Sequence, residues 1–112
     1  MKGIDHELLL LAAKAAPHIS EIQHINGDGS VVYISTGGSA NNSWRPYDDD
    51  GHTLQLLADL KLTLHQTPRG VCIHHVGTEL FINELDSYNN GCRRTTIRHA
   101  VLRAAAAIGA TL

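Results

Sequence analysis

A chain of 112 residues, 43% apolar and 18% charged, is long enough to bury one hydrophobic core and too apolar to stay disordered. Its formal net charge of −2 gives no global attraction to nucleic acid or to an anionic membrane. Two cysteines, Cys72 and Cys92, are too few for a disulfide framework or a cysteine-built zinc site, so both are expected to be reduced.

The first apolar run, residues 8–16, follows Asp5, His6 and Glu7 rather than a basic segment, and Lys14 interrupts it. It falls well short of the ~20 apolar residues that span a bilayer. A single domain over residues 1–112, cytoplasmic and without membrane contact, is the expectation.

Residues 5–16 read as a helix. Asp5 suits the N-cap, and Glu7 lies in the first turn, where the helix dipole favours an anion. Leu8, Leu11, Ala12 and Ala15 share one face, and Pro17 ends the run. Residues 19–25 read as a strand with a flaw: Ile19 and Ile25 fall on one face and Ile22 on the other. Asn26-Gly27-Asp28-Gly29 signals a turn, and residues 31–35 form the return strand of a hairpin. Residues 37–43 are small and polar and are expected to be a loop.

The clearest stretch is SWRPYDDDGHTLQLLADLKLTL, residues 43–64. Trp44 is the only tryptophan, and its burial would contribute more than any other single side chain. Asp48, Asp49 and Asp50 sit at a helix start, where free backbone N–H groups favour anions, so one of them should be the N-cap. Leu54, Leu57, Ala58 and Leu60 supply an apolar face, and Lys61 suits the negative helix end. Residues 62–66 are a short strand. Residues 71–76 and 79–85 are two more, joined as a second hairpin around Gly77-Thr78. In the first of these Val71, Ile73 and His75 face one way and Cys72, His74 and Val76 the other. In the second, Leu80, Ile82 and Glu84 oppose Phe81, Asn83 and Leu85. Residues 86–91 read as a polar loop. Residues 93–108 form the last helix, with Ile97, Val101, Ala104 and Ile108 on one stripe and Gly109 as its stop. The order αββαβββα gives an α+β fold, a mainly antiparallel sheet with helices packed on it.

Eight histidines raise the question of metal binding. His74 and His75 are strand neighbours and point to opposite faces. His18 and His24 are ~20 Å apart in an extended chain. No H-x-x-x-H pair falls on a predicted helix. Only a site assembled from distant segments would remain, and no metal or cofactor is expected. The three aspartates lack the alternation and the terminal glutamate of a calcium loop. His52, one turn along, would have its protonated form favoured by them. Arg93, Arg94, Arg98 and Arg103 make the last helix basic, with Arg94 and Arg98 on one flank, either pairing with nearby acids or forming a small patch for phosphate or an acidic partner. Gly37-Gly38-Ser39 lacks the lysine of a phosphate loop, and no serine or cysteine has a nucleophile's setting.

Three segments, residues 7–16 (ELLLLAAKAA), 43–64 and 93–109 (RRTTIRHAVLRAAAAIG), resemble a family of small proteins of tailed phages and prophages, the phage ABA-sandwich type. The shared pattern is a leucine/alanine first helix, then W-x-P-x-x-D-D-G, then R-x-x-I-x-x-A-x-x-R-A-A-A. Pro17 stands where glycine is more usual, and His52 where an acidic residue is common. The resemblance implies a layered α/β/α sandwich and a phage or prophage origin, and it supplies no catalytic residues.

The resulting expectation is a non-enzymatic accessory protein that binds a host or phage macromolecule. Its candidate binding surface is Trp44, Asp48, Asp49, Asp50, His52, Arg94 and Arg98. The alternative is a small enzyme or metal- or ligand-binding domain using the aspartates and His52. A host or phage protein is the expected partner, and nucleic acid is not. A homodimer could form through a sheet edge or the alanine-rich last helix.

Overall fold

The computed structural model describes residues 5–112. Among them, in chain order, are α1 (His6–Ala15), β1 (Ile19–Ile25), β2 (Val31–Ser35), β3 (Asn42–Trp44), α2 (Asp50–Asp59), β4 (Leu62–Gln66), β5 (Gly70–His75), β6 (Phe81–Leu85), a short 3-10 helix (Asp86–Asn89) and α3 (Arg93–Gly109). The class is α+β, and each strand pair is antiparallel. Two details differ from αββαβββα. There is one more strand, β3, and the strands form two three-stranded meanders, β1-β2-β3 and β4-β5-β6.

The extra strand lies in the stretch expected to be a loop. Gly38 and Asn41 take left-handed backbone angles, with φ of 88° and 61°. They turn the chain tightly enough for Asn42, Ser43 and Trp44 to pair with Tyr33, Val32 and Val31. The Asn42 amide donates to the carbonyls of Tyr33 at 3.2 Å and Ser39 at 2.6 Å, so a residue typical of loops is satisfied inside a strand.

The flaw in β1 has a structural cause. Ile19 pairs with Ser35, Ile22 with Tyr33 and Ile25 with Val31, with register shifts between Ile19 and Glu21 and between Ile22 and His24. Each bulge adds one residue to β1, so isoleucines spaced by three face the same side as Val31 and Tyr33, which are spaced by two.

Asp5 caps α1 by accepting the Leu8 N–H at 3.1 Å. The buried stripe of α1 is Leu9, Ala12 and Ala13, continued by Ala16, and Leu10 is half exposed. That is about one residue round from the expected stripe, because the small side chains are the ones that admit α3. In α2 the buried residues are Thr53 and Leu56, whereas Leu54 is 62% exposed. Thr53 tolerates burial because its hydroxyl donates to the Asp49 carbonyl at 3.2 Å. Lys61 lies beyond the helix end in a left-handed conformation, with φ of 53°, rather than in the last turn.

α3 is the hub. It packs against α1, α2, β5 and β6. Its buried residues, among them Thr96, Ala100, Val101, Leu102, Ala104 and Ala105, run nearly round the helix. Ala104 is fully buried, so the alanine face is core and cannot pair two copies. Gly109 is not a stop but the last residue of the helix, and a Cβ there would lie 1.8 Å from the Leu11 carbonyl oxygen. Glycine is needed for the close approach of two backbones, not for its φ.

In the second meander the two faces separate as the alternation predicts. Val71 and Ile73 are buried, together with Leu62 and the carboxylate-bearing Glu84. Glu84 accepts from Arg103 Nη1 at 2.5 Å and from the Asn89 amide at 3.1 Å. The opposite face turns away from α3.

Candidate functional site

The predicted surface residues converge only in part, and the fold uses most of them. Trp44, at the end of β3, is 0% exposed. Its ring meets the His18 ring edge-on at 6.0 Å, and Tyr33 meets His18 at 5.4 Å. Trp44 therefore belongs to the core and not to a binding surface, a correction that follows from its size: no other side chain here fills as much volume. Its Nε1 and both ring nitrogens of His18 are buried without hydrogen-bond partners. Burial lowers the His18 pKa below 6.5, with Asp59 opposing the shift and His52 adding to it.

The three aspartates point three ways. Asp48 takes the Arg45 guanidinium in a two-pronged contact, at 3.2 and 2.8 Å. Asp49 is the N-cap of α2, accepting the His52 N–H at 3.0 Å, and that bond holds its carboxyl below the usual range. Asp50 reaches across to α3. Its Oδ2 accepts from Arg94 Nε at 2.8 Å and from Arg94 Nη2, and its Oδ1 accepts from Arg98 Nη1 at 2.6 Å. Arg94 and Arg98 together depress its pKa. Arg98 also donates to the Tyr47 carbonyl at 2.8 Å and to the Thr95 hydroxyl at 3.0 Å.

His52 is tied to the backbone ahead of α2. Its Nδ1 accepts the backbone N–H of Arg45 at 2.8 Å, a bond that requires Nδ1 to be unprotonated. The ring thus fixes the chain entering α2.

Asp50, Arg94 and Arg98 form a charged clamp between α2 and α3, and Asp48 and Asp49 order the turn that leads into it. Among the described residues no group of three or more His, Cys, Asp or Glu side chains is placed to hold a metal ion. No helix of the described residues is long and apolar enough to cross a membrane.

Sequence reasoning passed over the outer face of β4-β5-β6. The pairing register puts Thr63 and His65, Cys72 and His74, and Phe81, Asn83 and Leu85 on one side. None of these side chains carries a formal charge. His65 meets His74 edge-to-face at 5.3 Å, and His74 meets Phe81 in the same way at 4.8 Å, so a row of rings crosses all three strands. Phe81 is 55% exposed, and Val76 at the hairpin tip is 77% exposed. The signal for this face was the absence of charge at Cys72, His74, Phe81, Asn83 and Leu85, the alternate positions of the two strands. A depression of about 270 Å³ lies between α1 and β1, open to solvent and lined by Leu10, Ala13, Ile19 and Ile22 with Lys14, Ser20 and Glu21.

Comparison with models of protein families, with curated proteins and with solved structures finds no match to this chain.

Proposed function

We propose that this chain is a phage or prophage accessory protein, a non-enzymatic module that binds a host or phage protein in the bacterial cytoplasm. The observation that carries the reading is the uncharged face of β4-β5-β6, with its row of His65, His74 and Phe81 and with Val76 beside it. Large apolar side chains left in water are a cost to a free domain and a gain once a partner covers them. The phage origin rests on the resemblance of the three sequence segments. The alternative, chemistry at Asp48, Asp49, Asp50 and His52, is not favoured, since each of those groups is held by an arginine or a backbone N–H.

Affinity capture from bacterial lysate, with and without phage induction, tests the proposal with parent chain and the double variant Val76→Ser/Phe81→Ser. Both positions are exposed, so the variant keeps the fold, which a melting curve checks. A protein held by the parent and lost by the variant is the expected result. Capture of nothing, or capture indifferent to the variant, overturns the proposal.

A further inference from the structure

The two outer strands of β4-β5-β6 end their sheet in different ways. Along an antiparallel ladder, residues directly opposite alternate between hydrogen-bonded and open pairs. The Thr67 N–H donates to the Gly70 carbonyl at 2.9 Å, and the Asp86 N–H donates to the Arg69 carbonyl at 2.9 Å. Carried along the register from those two bonds, the even-numbered residues of β5 bond to β4 and the odd-numbered ones to β6. The backbone groups of Asn83 and Leu85 therefore point away from the sheet at one edge, and those of Leu62, Leu64 and Gln66 at the other. The β6 edge is covered. Arg103 Nη1 donates to the Asn83 carbonyl at 3.2 Å, and the Asn89 amide donates to the Leu85 carbonyl at 3.0 Å. At the β4 edge the outward N–H and C=O groups of Leu62, Leu64 and Gln66 have no hydrogen-bond partner among the described residues. The first meander protects its edges by other means: β1 carries two register shifts and Glu21, and β3 is three residues long. β4 pairs at five successive positions without a bulge and holds no Asp, Glu, Lys, Arg or Pro. Bulges, shortness, charge and covering side chains are what keep sheet edges from joining, and β4 has none of them.

We infer that β4 is a dimerisation edge, which takes β4 of a second copy as its antiparallel neighbour across a two-fold axis at Leu64. The strand is its own complement. With Leu62, Leu64 and Gln66 as the outward residues, the two-fold register sets Leu64 opposite the partner's Leu64 and Leu62 opposite the partner's Gln66. Each such pair exchanges two backbone bonds, so every outward group of both strands is taken. The open pairs between them set Thr63 opposite the partner's His65, and no like charges meet. A second copy brings a strand already formed, with the same unmet groups, whereas a loose foreign segment would first have to be ordered. The joined sheet of six strands is of ordinary size. The alanine face of α3 offers no rival contact, because it is core. Five residues a side make a small interface, so the dimer forms with rising concentration and the monomer folds without it. Edge-to-edge pairing leaves the row of His65, His74 and Phe81 in place, and the inference stands whether or not another protein binds that face.

The test is sedimentation of the full chain from micromolar to millimolar concentration, with amide hydrogen exchange read by NMR. The mass should rise toward twice that of the monomer, and the amides of Leu62, Leu64 and Gln66 should slow by roughly tenfold or more as it does. Thr63→Lys/His65→Lys changes two exposed side chains and sets lysine opposite lysine at both open pairs, so this variant should stay monomeric. Thr63→Glu/His65→Glu should do the same, and an equal mixture of the two variants should recover the dimer. Melting curves check that both are folded. A chain still monomeric at millimolar concentration would overturn the inference. So would a dimer whose three edge amides exchange as fast as in dilute solution, a dimer indifferent to the lysine variant, or a mixture that stays monomeric. A monomer whose β4 amides slow only beside a captured protein would give the edge to a foreign strand instead. Val76→Ser/Phe81→Ser leaves β4 intact and should dimerise like the parent, so failure of the capture and failure of the dimer are read separately.

Discussion

Gly109→Ala is the substitution that tests most directly how the helices are put together. Placed in a free helix, alanine is better than glycine by ~1 kcal/mol, and at the last helical residue by a part of that. Against this, the new Cβ would stand 1.8 Å from the Leu11 carbonyl oxygen and 2.7 Å from its carbon. Both partners are backbone, so no rotamer change relieves the clash. α1 and α3 must move apart by ~1.5 Å to restore van der Waals contact, and a gap of that size forfeits half or more of the attraction between the atoms lining it. That lining includes the buried Ala12, Ala13 and Ala16 of the first helical segment and the buried Ala104, Ala105 and Ala106 near the end of α3. Overpacking of this kind costs ~1–3 kcal/mol, which exceeds the propensity gain. The expected net loss is about 1–2 kcal/mol, or a fall in Tm of roughly 5–10 °C for a domain of this size. Urea unfolding followed by circular dichroism reads the first number and a thermal scan the second. Gly27→Ala is the control, since a Cβ there meets nothing within 4 Å. A Gly109→Ala protein as stable as its parent, or more stable, would refute the backbone contact and return Gly109 to the role of a helix stop.

Two further substitutions probe buried polar groups. His18 has its pKa lowered from 6.5 by burial, so the unfolded chain takes up that proton first. The stability it contributes is whole above ~pH 6.5 and is lost as pH falls from there toward the folded value, with a slope of at most ~1.4 kcal/mol per unit for one proton. His18→Phe should flatten the fall in urea midpoint between about pH 7 and pH 5 relative to the parent, and an unchanged slope would place the acid sensitivity elsewhere. Arg103→Met leaves the Glu84 carboxylate, 6% exposed, with only the Asn89 amide, and should cost ~1–3 kcal/mol in chemical unfolding. Adding Glu84→Met should recover most of that loss, and a double variant no better than Arg103→Met would show that the pair is not coupled.

The helices, the two hairpins and the inward faces of β5 and β6 were legible in the sequence because each is a local pattern. Asp5 and the aspartate run announced their caps, and Asp49 fills the second of them. What escaped depended on register or on distance along the chain. The bulges that align Ile19, Ile22 and Ile25 leave no mark in a period-two reading. Strand β3 forms from polar residues only because Gly38 and Asn41 supply left-handed turns. The partners of Asp50 stand 44 and 48 residues away, so its pairing with Arg94 and Arg98 required the packing of α2 on α3. Trp44 was recognised as an anchor, and full burial is what an anchor implies. Its membership of a binding surface was the weaker half of that reading.

The division of labour between the two faces of β4-β5-β6 bears on function. On the inner face Glu84 has Arg103 and Asn89, and His75 Nδ1 is 3.0 Å from the Thr78 hydroxyl. The clamp at Asp50 is likewise complete, with both carboxylate oxygens taken. A ligand arriving there would have to displace charge-assisted bonds already made, a cost that a binding site in a small domain does not carry without return. The outer face has no such obligations. Phe81 at 55% and Val76 at 77% exposure leave much of their apolar surface in water, and the row of His65, His74 and Phe81 runs across the three strands. Stability therefore constrains the residues at the head of α2, whereas substitutions at Val76 and Phe81 test the proposed binding with the fold intact.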